Sequence, residues 1–153
     1  MKIPNDIVAA AQAAERKWGV PSSTQLAQWR IESGNGAHSP GNNPWGMKPR
    51  AGRNDPQQML WTTEWSKLRQ RFVKVQQPFR TFPSIAASFD AHAELIATAK
   101  VYAPAMAALP DLNLFIERMA ARYATDPQYA AKLKAMITQS GLTVFDAHKP
   151  VLA

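Results

Sequence analysis

The chain has 153 residues, no cysteine and a formal net charge of +7, from 18 Lys and Arg against 11 Asp and Glu. This length is sufficient for one domain with its own core. The missing cysteines exclude disulfides and thiolate metal sites, and no apolar run reaches the ~20 residues of a membrane span. The positive charge favours anionic polymers such as nucleic acid, anionic lipid or bacterial cell wall, without choosing among them.

Two helices are predicted in the first third of the chain. The first carries apolar residues at helical spacing, at Ile7, Ala11, Ala14 and Trp18, and it ends at Gly19. Because "PND" interrupts the N-terminal apolar residues, we interpret this segment as a helix of the fold and not as a secretion signal. The second helix opens at Pro21 and runs to about Glu32. The stretch "SGNGAHSPGNNPWGMKPRAGRNDPQ" follows and is typical of a loop.

A small β-lobe is predicted at about residues 57–80. The runs "MLWTTEW" and "RFVKVQQPF" are rich in β-branched and aromatic residues and form one hairpin. The connection "SKLRQ" contains neither Gly nor Asn, so it fixes neither the turn type nor the register. Alternation along the first strand places Trp61 and Trp65 on one face and Glu64 on the other.

Helices return after Pro83, and three apolar stripes mark them. The third of these helices is predicted to begin at Asp126-Pro127, an N-cap followed by proline. Residues from about 141 to 153 are expected to form a C-terminal extension packed through Leu142 and Phe145. The stripes are Ile85, Phe89, Ala93 and Ile96; Leu112, Phe115, Ile116, Met119 and Tyr123; and Tyr129, Leu133, Met136 and Ile137.

The predicted fold class is therefore α+β and mostly α, with a hairpin lobe inserted into a helical body and a cleft between them. Glu32 ends the helix before the lobe, and Glu64 lies on its first strand. Two carboxylates across a cleft suit glycosidic hydrolysis, with one donating a proton and the other activating water or stabilising positive charge. Because a helix C-terminus disfavours negative charge, we expect a raised pKa for Glu32. The alternative is that both are surface acids, Glu64 paired with a neighbouring Lys or Arg.

Five blocks in order over nearly the whole chain carry a family resemblance: "PSSTQLAQWRIESGNG", "NNPWGMK", "TTEW", "FRTFPSIAASFDAHAELI" and "YATDPQYAAKLKAMI". Together they resemble the peptidoglycan β-N-acetylglucosaminidase domain of glycoside hydrolase family 73. The resemblance implies a lysozyme-like fold and cleavage of the GlcNAc-β-1,4-MurNAc bond of bacterial wall.

The resemblance also implies roles for individual residues. Glu32 matches the catalytic acid, Glu64 the second carboxylate on the hairpin, and Tyr123 a tyrosine that lines the site. Trp45 stands where the family usually has Phe, next to Gly46. The expected substrate-binding residues are Asn43, Trp45, Gly46 and Trp61. Stacking on sugar is one role for Trp45, Trp61 and Trp65, and packing inside the fold is the other.

Other chemistries have little support in the sequence. His38, His92 and His148 are far apart with no HExxH spacing, so no metal and no cofactor are expected. The chain lacks a GxSxG elbow and a cysteine nucleophile. The basic residues are scattered, with Lys67, Arg69, Arg71 and Lys74 as the densest group, and a solvated face is the default interpretation. A nucleic-acid-binding protein, for which a concentrated Lys/Arg stripe is expected, is therefore the last-ranked alternative.

The sequence thus predicts a wall-degrading glycosidase, with bacterial peptidoglycan strands as its partner and a monomeric state. No nucleic acid and no stable membrane insertion are expected. A muramidase or lytic transglycosylase on the same fold, or an inactive wall-binding module, are the alternatives. With no signal segment recognised, we expect a phage-type endolysin made in the cytoplasm and released through a holin or another route to act on the wall.

Overall fold

The computed structural model describes residues 2–147, so His148 and the last part of the predicted C-terminal extension lie outside the described residues. Within this range there are six α-helices and one two-stranded antiparallel sheet, which confirms an α+β fold that is mostly helical. The helices are α1 (Asn5–Trp18), α2 (Ser22–Ser33), α3 (Ile85–Thr98), α4 (Ala103–Ala108), α5 (Leu112–Tyr123) and α6 (Tyr129–Ser140), the strands are β1 (Gln57–Ser66) and β2 (Arg71–Arg80), and 3-10 turns occupy Pro40–Asn42, Lys100–Tyr102 and Leu142–Phe145.

Helix α2 runs through the middle of the helical body. Its first eight residues are all buried, polar ones included. It packs against α1, α6 and the 3-10 turn at Leu142–Phe145, while α1 also packs on α3. Each fully buried large apolar side chain contributes about 1.5–3 kcal/mol to this core. All of the largest except Leu26 and Leu142 belong to the predicted stripes. They are Leu26, Phe89, Ile96, Phe115, Ile116, Met119, Leu133 and Leu142.

Two carboxylates from distant parts of the chain cap the N-terminus of α2. Glu15 accepts hydrogen bonds from the Ser22 N–H (3.1 Å) and hydroxyl (2.6 Å). Asp146 accepts from the Ser23 N–H (2.6 Å) and hydroxyl (2.8 Å). These bonds satisfy first-turn donors that would otherwise be buried without partners. Helix α2, whose last turn carries Glu32, is therefore fixed at its N-terminal end.

The chain leaves α2 through a tight turn that only small residues allow. Gly34 is left-handed, with φ 57°. The Ser33 hydroxyl donates to the Trp29 carbonyl (2.5 Å) and accepts from the Gly36 N–H (2.8 Å). A Cβ on Gly36 would lie 2.8 Å from the Trp29 ring. The "ESGNG" motif thus ends the helix one residue after Glu32 and turns the chain away.

The hairpin pairs without a bulge, from Gln57 opposite Arg80 to Ser66 opposite Arg71. Its four-residue loop, residues 67–70, closes with Gln70 in the left-handed region at φ 51°. The left-handed position is occupied by Gln and not by Gly or Asn, which are the usual signals for such a turn. The turn type could therefore not be predicted from the sequence. The register confirms that Trp61 and Trp65 share a face and that Glu64 points to the other.

Backbone hydrogen bonds attach the base of the hairpin to the body. The Arg80 N–H donates to the Met47 carbonyl (2.9 Å), and the Phe82 N–H donates to the Gly41 carbonyl (2.9 Å). The strands extend from there as an inserted lobe, as predicted.

One predicted boundary was wrong. Helix α6 begins at Tyr129, not at Asp126-Pro127. The Asp126 carboxylate accepts from the Gln128 N–H (2.8 Å), so it stabilises a turn that precedes the helix. The short helix α4 was not anticipated, since six residues carry too little periodicity to be recognised. The extension packs as expected: Leu142 is buried and Phe145 lies against the core.

Candidate active site

Glu32 lies in the last turn of α2 and lines a cavity of about 550 Å³. Four parts of the chain form this cavity: the end of α2, the loop before the hairpin, one side of α3 and its continuation, and the end of α5 with the segment that follows it. Its lining consists of Glu32, Trp45, Gly46, Met47, His92, Leu95, Tyr102, Tyr123, Ala124, Thr125 and Asp126. Of the predicted site residues, the fold thus brings together Glu32, Trp45, Gly46 and Tyr123.

The Glu32 carboxyl accepts a hydrogen bond from the Tyr129 hydroxyl, at 2.9 Å. Loss of hydration in the cavity raises the pKa of Glu32 above its ordinary 4.5, and the Tyr129 hydrogen bond opposes this in part. The direction of the predicted pKa shift is confirmed, with desolvation as its main cause. A carboxyl that holds its proton next to a solvent-accessible cavity can donate that proton to a ligand.

A stack of aromatic rings forms one wall of the cavity. The Tyr123 hydroxyl lies 3.1 Å from His92 Nε2. The indole of Trp45 stacks on the His92 ring at 3.9 Å between centroids, and Phe89 meets Trp45 edge-on at 4.9 Å. Tyr123 in turn stacks on Tyr129 at 5.6 Å. The two tyrosines beside the acid are therefore held by buried rings on α3 and in the loop.

Trp45 is only 7% exposed, and His92 covers one of its faces. It contributes to the cavity as part of a packed wall and offers no free ring face for stacking on sugar. Of the two roles left open by the sequence, packing inside the fold is the one that its burial supports.

Asn43 organises the loop beside the acid. Its Nδ2 donates to the Met47 and Arg80 carbonyls, both at 3.0 Å. Its Oδ1 accepts from the N–H groups of Trp45 (3.3 Å) and Met47 (3.1 Å). Because these bonds use its donors and acceptor, Asn43 supports the loop and joins it to the hairpin base. Gly46, with φ 63° and open space around its Cα, then exposes backbone to the cavity.

Glu64 and Trp61 lie outside the lining of this cavity. The Gln77 side-chain amide donates to the Glu64 carboxylate at 2.6 Å, and Lys48 contacts Gln77 from the pre-hairpin loop. Glu64 is therefore held on the hairpin face that also carries Gln77. Trp61 is 68% exposed on the opposite face.

His92 and Tyr129 are the site residues that sequence reasoning missed. His92 was considered only as a metal ligand, and Tyr129 only as a core residue of α6. Among residues 2–147 no three His, Asp or Glu side chains are grouped so that they could hold a metal ion. His92 instead serves as the buried partner of a tyrosine. Its place one helical turn after Phe89, on the apolar stripe of α3, was the available signal.

Burial lowers the pKa of His92 from 6.5 to about 3, so it is neutral in the folded protein. An unfolded chain takes up this proton as the pH falls through 6.5, whereas the folded one does not until about pH 3. The stability that the neutral form provides is thus complete above pH 6.5 and is lost on acidification. At pH 5 we expect a loss of about 2 kcal/mol in unfolding free energy from this residue.

Urea unfolding at pH 8 and pH 5 tests this expectation, with His92→Gln as the comparison because an amide also reaches Tyr123. The free-energy difference between wild type and variant should shrink by about 2 kcal/mol toward pH 5. A difference that stays the same at both pH values would show that His92 is not kept neutral.

A family profile described as "Glucosaminidase: Mannosyl-glycoprotein endo-beta-N-acetylglucosaminidase" matches residues 8–142. The chain belongs to the glucosaminidase family. This match spans the helical body, the loop and the hairpin, and it confirms the resemblance to glycoside hydrolase family 73 seen in the sequence blocks.

Curated relatives agree with this assignment. The chain is 32% identical to "Autolysin" of Enterococcus faecalis, over 92% of this chain and 20% of that protein. It is 32% identical to "Peptidoglycan hydrolase FlgJ" of Salmonella typhimurium, over 84% of this chain and 42% of that protein. The chain therefore spans less than half the length of these relatives. It is also 29% identical to "Probable N-acetylmuramidase" of Lactococcus lactis subsp. cremoris, over 92% of this chain and 33% of that protein.

Solved structures share the fold. The glycoside hydrolase domain of Salmonella typhimurium FlgJ, C-terminally truncated, has a TM-score of 0.72 at 30% identity, covering 89% of this chain and 96% of that one. The catalytic domain of the Listeria monocytogenes autolysin Auto has a TM-score of 0.78 at 24% identity, covering 93% and 84%. The helical body with its hairpin is thus the lysozyme-like fold of family 73.

Proposed function

We propose that this chain hydrolyses bacterial peptidoglycan at the GlcNAc-β-1,4-MurNAc bond, as an N-acetylglucosaminidase. The observation that carries the proposal is Glu32: a carboxyl with a raised pKa, at the end of a fixed helix, in the cavity of a glucosaminidase-family fold. Glycosidic bond cleavage needs such a proton donor at the leaving oxygen.

Glu32 acts as the general acid in this proposal. Its proton passes to the bridging oxygen as the bond from that oxygen to the anomeric carbon breaks, and positive charge develops on the GlcNAc ring. The Tyr129 hydroxyl, already donating to Glu32 Oε1, then stabilises the carboxylate that remains. Tyr123, held by His92, presents its phenol to the same cavity.

Glu64 is proposed as the second carboxylate. Since it lies on the hairpin and outside the cavity lining, the lobe must approach the body when a glycan strand is bound. Two reactions are then open: Glu64 accepts a proton from an attacking water, or it orients the substrate's acetamido oxygen for attack on the anomeric carbon. Asn43 acts as a positioning residue, because its bonds join the cavity loop to the hairpin base.

Replacement of Tyr129 by Phe tests the environment of Glu32. Because the hydrogen bond from Tyr129 favours the ionised acid, its removal should raise the pKa of Glu32 further. Activity of a general acid falls as the pH passes its pKa, so the alkaline limb of the pH–rate profile should move to higher pH. The matched control is Tyr102→Phe, a cavity tyrosine for which this shift is not expected. An unmoved limb, or one at lower pH, would contradict the assigned roles.

The reaction itself is identified by its products. Purified peptidoglycan is digested, reduced with borohydride and examined by mass spectrometry. New reducing ends at GlcNAc would support the proposal. Reducing ends at MurNAc would make the chain a muramidase, the activity named for the Lactococcus lactis relative, and anhydro-MurNAc would make it a lytic transglycosylase. No release from several wall types would favour the wall-binding alternative.

We also propose that the chain acts on the wall as a monomer. Size-exclusion chromatography with light scattering tests the monomeric state, and a stable dimer would contradict it.

No helix among residues 2–147 is long and apolar enough to cross a bilayer.

A further inference from the structure

The outer face of the hairpin exposes a group of large apolar side chains that the proposed reaction does not use. Met59, Trp61 and Trp65 of β1 are 53%, 68% and 51% exposed, and Phe72 of β2 is 68% exposed. Phe72 lies opposite Trp65, and the two rings meet edge-on at 5.2 Å. Leu68, in the connecting loop, is 93% exposed. We call these five residues the hairpin patch.

The hairpin has apolar side chains on its other face as well, but those are half-buried. They are Leu60, Val73, Val75 and Phe79, on the face of Glu64. The hairpin patch, in contrast, leaves half or more of each side chain in water, even where Trp65 and Phe72 meet. A group of large exposed apolar side chains indicates an interaction surface.

Positive charge is concentrated around the tip of the lobe, beside the Trp65, Leu68 and Phe72 end of the hairpin patch. From Gln57 to Arg80 there are five basic residues and one acid, so the hairpin carries +4 of the chain's +7. Four of the five lie around the tip, where the described residues give none of them an acidic partner: Lys67, Arg69, Arg71 and Lys74.

We propose that the hairpin patch is a reversible anchor to an anionic lipid bilayer surface. The apolar tip side chains enter the boundary between headgroups and acyl chains, and the surrounding Lys and Arg contact lipid phosphates. Trp, Phe and Leu beside Lys and Arg are the residue types that favour this interface. The anchor lies on the surface of the bilayer and does not span it.

Other occupants fit the hairpin patch less well. A second copy of this chain would bring together two hairpins that each carry a net charge of +4, and their repulsion opposes such a contact. An anionic wall polymer would satisfy the cations but would leave Leu68, Met59 and Phe72 in water. A glycan could stack on Trp61, but it offers no apolar volume for Leu68 at the tip.

Vesicle binding with acyl-chain quenching tests the anchor on the full chain. The protein is mixed with vesicles of phosphatidylglycerol and phosphatidylcholine, or of phosphatidylcholine alone, whose acyl chains carry bromine. Because Trp29 and Trp45 are buried and Trp18 is only partly exposed on the helical body, bromine should quench mainly the exposed Trp61 and Trp65. We expect sedimentation with anionic vesicles, quenching of fluorescence, and weaker binding in high salt.

Leu68→Asp should lower the partition into anionic vesicles by about tenfold or more, since it removes a leucine side chain that the bilayer would bury. Val101→Asp, on the helical body at 54% exposure, is the matched control and should bind like wild type. Lys67→Gln and Arg69→Gln should each lower the partition roughly fivefold, whereas Arg16→Gln should not. Glu32→Gln should bind normally, so that the test does not depend on the proposed reaction.

Several results would overturn the proposal. One is equal binding to anionic and neutral vesicles, and another is binding without quenching, which would show adsorption by charge alone. A third is equal partition of Leu68→Asp and Val101→Asp. Loss of sedimentation with purified peptidoglycan in Leu68→Asp, while vesicle binding persists, would assign the hairpin patch to the wall.

Discussion

Replacement of Glu32 by Gln is expected to lower the rate of peptidoglycan digestion by roughly 10³-fold, because the amide cannot donate the proton that the leaving oxygen requires. Gln has nearly the same volume, and its carbonyl can still accept the hydrogen bond from Tyr129. The fold should therefore be unchanged. Release of soluble muropeptides from purified wall, measured as an initial rate, gives the activity.

The control is Glu117→Gln, the same exchange on the exposed side of α5, where Glu117 pairs with Lys134. It should retain wild-type activity, since surface ion pairs contribute at most about 1 kcal/mol to stability. Both variants should unfold at nearly the wild-type temperature. A Glu32→Gln protein that digests wall within tenfold of wild type would remove Glu32 from the reaction.

Replacement of Glu64 by Gln has the second-largest expected effect, a loss of roughly 10²-fold. The charge that activates water or orients the acetamido group is removed, while the hydrogen bond from Gln77 to the remaining carbonyl oxygen is kept. Because Glu64 lies on an exposed hairpin, the substitution should leave the stability of the helical body unchanged. The measurement is again the initial rate, with the products identified.

One further variant separates the roles of charge and position at Glu64, and a second serves as a control. Glu64→Asp keeps the charge but shortens the side chain, and it should fall between wild type and Glu64→Gln. Gln76→Ala, on the opposite face of the hairpin, should be as active as wild type. Full activity in Glu64→Gln with anhydro-MurNAc products would point to a transglycosylase that needs a single acid.

Much of the fold could be predicted because local signals agree with the tertiary structure. The stripes at Phe89, Phe115 and Leu133 correspond to buried faces of α3, α5 and α6. Gly19 and Gly34 end α1 and α2 in the left-handed conformation. The start of α6 was misplaced because Asp126-Pro127 can equally cap a turn, and only the path of the chain after α5 decides between the two.

The site was predicted less completely. Glu32 could be recognised from its place before "SGNG" and from the family blocks. The roles of Tyr129 and His92 depend on contacts across 97 and 31 residues, and no local pattern encodes these. Burial of Trp45 against His92 could not be predicted either, because an aromatic residue in a Gly- and Pro-rich loop can equally be exposed.

Titration of the Glu32 carboxyl by NMR, in protein labelled with ¹³C at glutamate side-chain carboxyls, tests its role as the proton donor most directly. Glu32→Gln assigns the resonance, and the pKa is read from its chemical shift against pH. We expect a pKa above the ordinary 4.5, which rises further in Tyr129→Phe. A Glu32 that titrates at or below 4.5, without response to Tyr129→Phe, would contradict the assignment of Glu32 as the general acid.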